Sequence, residues 1–300
     1  MSLRTDAAAR AGTWTLGDLT VNRLGFGAMR LTGRTAFSAD ASGDRERSIG
    51  VLRRAIELGV NHLDTAAFYF SPRLSANELI NRALAPYPDD LVITTKVWPA
   101  RNPSGEWWWA TPEQLRGQVE ENLRQLGRDH LDVVNLRVPP SERNGSIADH
   151  FGALADLRTA GLVRHLGVSN VTPAQLAEAR AIAPVVCVQN PFGVGAPAGQ
   201  REMLRLCGGN GIAFVPFFAI AGAGREAGAG AAEEEAVLAV AREHGATAAQ
   251  VRLAWTLGLG AHVLAIPGTG DPDHLVENVG AGELVLSEEE MERLGAVGRA

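Results

Sequence analysis

An aspartate, a tyrosine and a lysine stand at spacings that suit carbonyl chemistry. Asp64 and Tyr69 lie five residues apart in LDTAAFY, and Lys96 closes the segment TTK. Reducing a carbonyl requires a hydride donor and a proton for the developing alkoxide. A phenol, with an ordinary pKa of about 10, donates poorly near neutrality unless a cation stands beside it. A lysine ammonium would supply that cation, and an aspartate would keep it charged and aimed. Arg137, at the end of LDVVNLR, adds a second positive group. The same residues also read as an ion pair between Asp64 and Lys96 with Tyr69 as packing, and their types alone leave both readings open.

For these groups to meet, the chain must carry them to one rim. Short apolar runs alternate with helical patterns from Arg23 onward. Strands are expected at Arg23–Ala28, Val60–Asp64, Leu91–Lys96, Leu131–Leu136, Leu162–Val168, Val185–Gln189, Ile212–Pro216 and Val263–Ile266. Helices are expected at Ser48–Leu58, Ala76–Leu84, from Thr111 through Leu126, Ile147–Thr159, Thr172–Ile182, Gly199–Cys207, Glu233–Glu243, Thr247–Leu257 and Pro272–Val279. A last helix, Ser287–Gly295, opens on a capping box. Eight strand–helix units without a mid-chain break predict a single-domain α/β chain folded as a (β/α)8 barrel rather than an open doubly wound sheet. Asp64, Lys96 and Arg137 then fall at the C-terminal ends of strands two, three and four, where barrels carry their reactive groups. One domain spans residues 1–300, with an N-terminal extension and barrel-bottom hairpin over 1–22 and a C-terminal helix over 287–300. Ala221–Ala232, rich in Gly and Ala, reads as a mobile loop. Gly105–Ala110 reads as a loop whose Trp107 and Trp108, with Trp98 before them, wall the substrate mouth.

LDTAAFY, TTK, LDVVNLR, GVSN (Gly167 to Asn170), VQN (Val188 to Asn190) and IPGTGDPDHLVEN (Ile266 to Asn278) occur in this order. Together they resemble the signature segments of the aldo-keto reductase superfamily over nearly the whole chain, from about Arg23 to Leu294. The resemblance implies a barrel that binds NADPH across its C-terminal rim and reduces an aldehyde or ketone. It also implies a catalytic set in which Tyr69 donates the proton, Lys96 tunes it and Asp64 supports the lysine. Where the superfamily usually has a histidine, this chain has Arg137. A guanidinium cannot shuttle protons, which leaves it the role of a fixed cation for phenolate, carbonyl or an anionic substrate group. The segments around it are similar to a bacterial branch that includes pyridoxal reductases, so pyridoxal and a biosynthetic keto intermediate are both candidate substrates.

The cofactor residues follow from the same resemblance. Gly27, Ala28 and Met29 lie near the nicotinamide end, and Ser169, Asn170 and Gln189 hold the carboxamide. Phe217 and Phe218 lie against the ring. Gly268, Thr269 and Gly270 bring amides to the adenosine phosphate, and Glu277 and Asn278 meet the adenine. Gly268 and His274 replace the frequent lysine and arginine of the 2′-phosphate site, which weakens NADPH selectivity and admits NADH.

Other signals set bounds. The net charge of -6 argues against nucleic acid as a partner. No apolar run approaches the roughly 18 residues of a membrane span, and Met1–Arg10 lacks a signal-peptide core, so a soluble cytoplasmic protein is expected. Cys187 and Cys207 fit no disulfide framework or zinc site, and Cys187 reads as a small buried hydrophobe. The histidines, His62 and His165 among them, show no metal spacing and are expected at the rim or surface. Gly25–Arg30 is only a weak dinucleotide fingerprint. A monomer is expected, because no helix face demands a partner. Two other functions stay in view: a nucleotide-sensing module with little turnover, and a cofactor-free aldolase using Lys96 as a Schiff base.

Overall fold

The computed structural model of the chain describes residues 5–33, 43–197, 199–217, 219–220 and 231–297. Its strands are β1 (Thr13–Leu16), β2 (Leu19–Asn22), β3 (Phe26–Gly27), β4 (His62–Asp64), β5 (Val92–Val97), β6 (Pro99–Arg101), β7 (Trp107–Trp109), β8 (Leu131–Arg137), β9 (Val163–Ser169), β10 (Val185–Gln189) and β11 (Ala213–Phe214). Its helices are α1 (Arg45–Glu57), α2 (Ala76–Leu84), α3 (Leu115–Leu126), α4 (Ala148–Thr159), α5 (Pro173–Ile182), α6 (Gln200–Gly209), α7 (Ala231–His244), α8 (Ala248–Gly258), α9 (Pro272–Gly280) and α10 (Glu288–Ala296).

Seven strands lie side by side in the order β3-β4-β5-β8-β9-β10-β11, every neighbouring pair parallel. The expected eighth strand forms no ladder. Residues 263–265 instead stitch the two edges together by single bridges, Val263 to Phe214 and Ala265 to Leu24. The amide of Leu264 donates to Phe214 O at 2.9 Å, and the amides of Gly25 and Ala265 donate to Ala265 O and Arg23 O at 2.8 Å each. These bonds close the wall into a barrel. The seam is short because strand one supplies so little: only Phe26–Gly27 of the expected Arg23–Ala28 joins a ladder. Strand seven is likewise limited to Ala213–Phe214 of the expected Ile212–Pro216.

The helices start where side chains can take the orphan amides of the first turn. Thr172, Thr247 and Ser287 make capping boxes for α5, α8 and α10. Asp44 accepts from the Arg47 amide, so α1 begins three residues before the expected Ser48. On α3 the stripe Leu115, Val119, Leu123 and Leu126 is buried, as its period requires.

Two apolar layers result. Helices and the outer wall share the large core. A smaller one fills the barrel, with Val92, Val133, Cys187, Ala213, Val215 and Leu264 closed from below by Leu16 and Val21 of the β1–β2 hairpin. That hairpin is a plug. Its Gly17 has φ +67, and a Cβ there would sit 2.2 Å from the His165 ring. Asp18 at the turn accepts from Arg164 and His165 at 2.6 Å each.

Three expectations need correction. Trp107–Trp109 is a strand, not a loop, because Pro99–Arg101 pairs with it antiparallel and Gly105, at φ +92, lets the ribbon turn. His62 lies inside the barrel rather than at the rim, 1% exposed, since strand alternation points it inward with Asp64. His165, held by the plug, is at the barrel bottom. Phe218 and residues 221–230 of the Gly/Ala-rich stretch lie outside the described residues.

Candidate active site

Alternation along parallel strands sends every second side chain into the barrel, and the topmost of these face the C-terminal mouth. From β4 comes Asp64, from β5 Lys96, from β8 Arg137, from β9 Ser169 and from β10 Gln189. The lysine ammonium donates to Asp64 Oδ1 at 2.6 Å and to Thr65 O at 3.1 Å, both partners buried. It stands over the Tyr69 ring, 5.0 Å from its centre, with a third N–H beyond the two that meet Asp64 and Thr65. Tyr69 is fixed by a turn, its amide donating to Ala66 O at 3.0 Å, and by Phe68, whose ring meets it edge-on with centroids 5.1 Å apart. The other oxygen of Asp64 accepts from Gln189 Nε2 at 2.8 Å, a bond that crosses the barrel. Asp64, Tyr69, Lys96 and Gln189 thus form one connected cluster.

Arg137 completes the arc. It is in register with Ser169, and Ser169 with Gln189. Its Nη1 donates to Ser169 Oγ at 3.1 Å, and its guanidinium carbon lies 4.9 Å from the centre of the Phe217 ring. Below the cluster the barrel holds further polar groups. Thr94 Oγ1 meets His62 Nε2 at 3.3 Å, and Cys187 donates to Asn135 Oδ1 at 3.2 Å. Burial holds His62 down at about 4 and pushes the Cys187 thiol up. His62 stands two residues before Asp64 in β4, and that period-two step is the sequence signal that places both side chains inside the barrel.

Several features fit a nicotinamide dinucleotide. Gln189 Oε1 is buried and meets no hydrogen-bond partner among the described residues, an acceptor suited to a carboxamide N–H. Ser169 Oγ accepts from Arg137 and keeps its own proton to donate. Asn170, next in line, adopts φ +60 and anchors through Nδ2 to Val138 O at 2.8 Å. Gly27 and Gly268 pack backbone on backbone: a Cβ on Gly27 would lie 2.7 Å from Ile266 O, and one on Gly268 2.5 Å from Gly27 O. Ala28 and Met29 follow in a tight turn, buried and half-buried. Thr269 is buried and its Oγ1 accepts from the Asp271 amide at 3.0 Å. Gly270 and Glu277 are half-buried, Asn278 is buried and His274 exposed.

Asp271 caps α9 by accepting from the amides of Asp273 and His274, and Arg47 of α1 forms an ion pair with it. Arg47 thus brings a cation to the first turn of α9. No sequence signal marked it, because it stands more than two hundred residues away.

The tryptophans divide. Trp98 is 3% exposed despite a φ of +94, its ring stacked on His150 at 3.8 Å and its backbone held at both polar atoms by Gln118. Trp107 is exposed on the ribbon and meets Phe68 edge-on at 5.5 Å. Trp108 lines a cavity of about 920 Å³ beneath the ribbon, together with Phe68, Phe70, Lys96 and Gln118. Among the described residues no cluster of His, Cys, Asp or Glu could hold a metal ion, and no helix is long and apolar enough to cross a membrane.

The sequence model of the Aldo/keto reductase family matches residues 23–299. The chain is 44% identical over 294 residues to pyridoxine 4-dehydrogenase of Escherichia coli (strain K12), covering 96% of this chain and 99% of that one. Among solved structures, the thermostable aldo-keto reductase Tm1743 in complex with the inhibitor epalrestat is similar with a TM-score of 0.79 at 30% identity, covering 93% of this chain and 96% of that one. An aldo/keto reductase from Klebsiella pneumoniae in complex with NADP and acetate gives a TM-score of 0.75 at 25% identity, covering 92% and 90%.

Proposed function

The chain belongs to the aldo/keto reductase family, and from that membership we propose how its residues divide the work of an NADPH-dependent carbonyl reductase. Bound NADPH supplies the hydride. Tyr69 is the proton donor to the carbonyl oxygen, and Lys96, with Asp64 behind it, is the cation that makes phenolate an acceptable product of that transfer. Gln189 serves two groups at once, orienting Asp64 with its amide nitrogen and the carboxamide with its oxygen. Ser169 and Asn170 share the carboxamide, Phe217 supports the nicotinamide face, and the Gly27–Gly268 contact shapes the groove. Ala28 and Met29 border the nicotinamide end; Thr269, Gly270, Glu277 and Asn278 serve the adenosine end. Arg47 assists His274 toward the 2′-phosphate, favouring NADPH over NADH.

The observation that carries this reading is the Lys96 ammonium, 2.6 Å from Asp64 and 5.0 Å from the Tyr69 ring centre, within a buried cluster. The similarity to pyridoxine 4-dehydrogenase extends the reading to the substrate, the aldehyde of pyridoxal. Trp107 and Trp108, on the ribbon beside Phe68, border the substrate mouth, and Trp98 stiffens its base. The protein works as a single-domain monomer in the cytoplasm, without nucleic acid, in keeping with its acidic composition. The test is loss of the reduced-nicotinamide absorbance when the protein is mixed with NADPH and pyridoxal. Sustained turnover supports the assignment; absence of turnover with pyridoxal and with a panel of simple aldehydes overturns it.

A further inference from the structure

Two cations and one carboxylate meet at the barrel mouth. Lys96 is matched by Asp64 at 2.6 Å, whereas no aspartate or glutamate pairs with Arg137 among the described residues. The guanidinium is half-buried, tethered by one bond to Ser169 Oγ and seated on the Phe217 ring. A partly desolvated cation is costly without an anion to meet it, and a guanidinium has five N–H donors, of which the Ser169 bond takes one. Its plane is also held: the serine fixes one edge and the aromatic face fixes the tilt, so the remaining donors keep a set direction.

We infer that Arg137 is a specificity-determining residue that receives an anionic oxygen carried beside the substrate's reacting carbonyl. The substrate class is then ortho-hydroxy aromatic aldehydes, of which pyridoxal is one. This rests on the reductase reading above. With the carbonyl oxygen directed to Tyr69 and Lys96, a ring oxygen ortho to the aldehyde lies on the same edge of the substrate, and the neighbouring cation of the arc is Arg137. The charges balance: Asp64 answers Lys96, and the ring oxygen answers Arg137. A histidine in this place could lose its charge and its hold on such an oxygen; a guanidinium cannot.

The test compares pyridoxal, its ring-O-methyl ether and isonicotinaldehyde. The ether keeps the size and loses the anion, and isonicotinaldehyde lacks the ring oxygen. The wild-type enzyme should prefer pyridoxal to the ether by about 10- to 100-fold in kcat/KM, the range of a charge-assisted hydrogen bond. Arg137→Met should slow all three, yet bring the preference to within about threefold. Arg137→Lys should restore part of it. Tryptophan fluorescence titration of the NADP-loaded protein with the same compounds should show the same order of affinities. An Arg137→Met variant that loses activity equally on all three compounds would falsify the inference, as would a wild type indifferent to the ring oxygen; the reductase reading survives either result. A preference in binding with no turnover of any aldehyde would instead sink the reductase reading and leave the role of Arg137 standing.

Discussion

At the scale of the residue, the site depends on charges placed out of water. Asp64 and Lys96 are each almost fully buried, so each stabilises the other only while both are present. Asp64→Asn should therefore lower stability by about 3–5 kcal/mol in urea unfolding, the cost of a buried cation stripped of its counter-ion. A loss under about 1 kcal/mol would show that solvent reaches the lysine. Tyr69→Phe addresses the chemistry instead. Removing one hydroxyl from a ring that Phe68 packs leaves the fold intact, and turnover should fall by roughly a hundred- to ten-thousandfold. NADPH affinity, measured by fluorescence titration, should stay within about twofold, because the cofactor contacts assigned above come from other segments of the chain. Unchanged turnover would remove Tyr69 from the mechanism. These residues were legible because their chemistry is local: a strand end names Asp64 and Lys96, and a five-residue step names Tyr69. Gln189 was legible only as a cofactor contact. Its bond to Asp64 spans 125 positions and has no sequence signature.

At the scale of the element, the barrel is weakest where strands one and eight meet. Their ladders are nearly absent, and the approach of Gly27 to Gly268 takes over part of the work. Gly268→Ala puts a Cβ 2.5 Å from Gly27 O, a clash of backbone against side chain that only separation of the two segments relieves. NADPH binding should weaken about tenfold or more, with a loss of about 1–3 kcal/mol in stability. Wild-type affinity in that variant would mean that the groove does not depend on this contact. The first turn of α1 is a second test. Arg47→Ala should raise the Kd for NADPH about three- to tenfold and leave that for NADH within about twofold; an equal effect on both would place Arg47 away from the 2′-phosphate. Sequence periodicity found the α-helices of the described residues and the long strands, since each is a local pattern of buried positions. It overextended β3 and β11, because an apolar run does not say how much of itself finds a partner. It read the Trp107–Trp109 ribbon as loop, because pairing with Pro99–Arg101 is a property of two segments.

At the scale of the whole molecule, the barrel is a sealed vessel with an apolar lower layer and a polar top. The β1–β2 plug shuts the bottom, Asp18 fastens it to Arg164 and His165, and the polar cluster fills the top. Between them His62 is enclosed, with its Nδ1 meeting no partner among the described residues. Burial lowers its pKa from 6.5 to about 4, with the nearby Lys96 also opposing a proton and Asp64 favouring one. Above pH 6.5 the imidazole is neutral whether the chain is folded or not, and it costs nothing. Between about 6.5 and 4 the unfolded chain takes a proton that the folded chain refuses, so stability falls as pH falls, by up to about 3 kcal/mol across the window. Carboxylates that gain partners on folding, such as Asp18, add to acid sensitivity at lower pH. The part due to His62 is isolated by difference. In urea unfolding at several values between pH 4 and 7, the wild type should lose up to about 3 kcal/mol relative to His62→Gln as pH falls from about 6.5 to 4, whatever the offset between the two at neutral pH. Parallel curves would mean that water or a partner reaches the imidazole, and the vessel is not sealed at that depth.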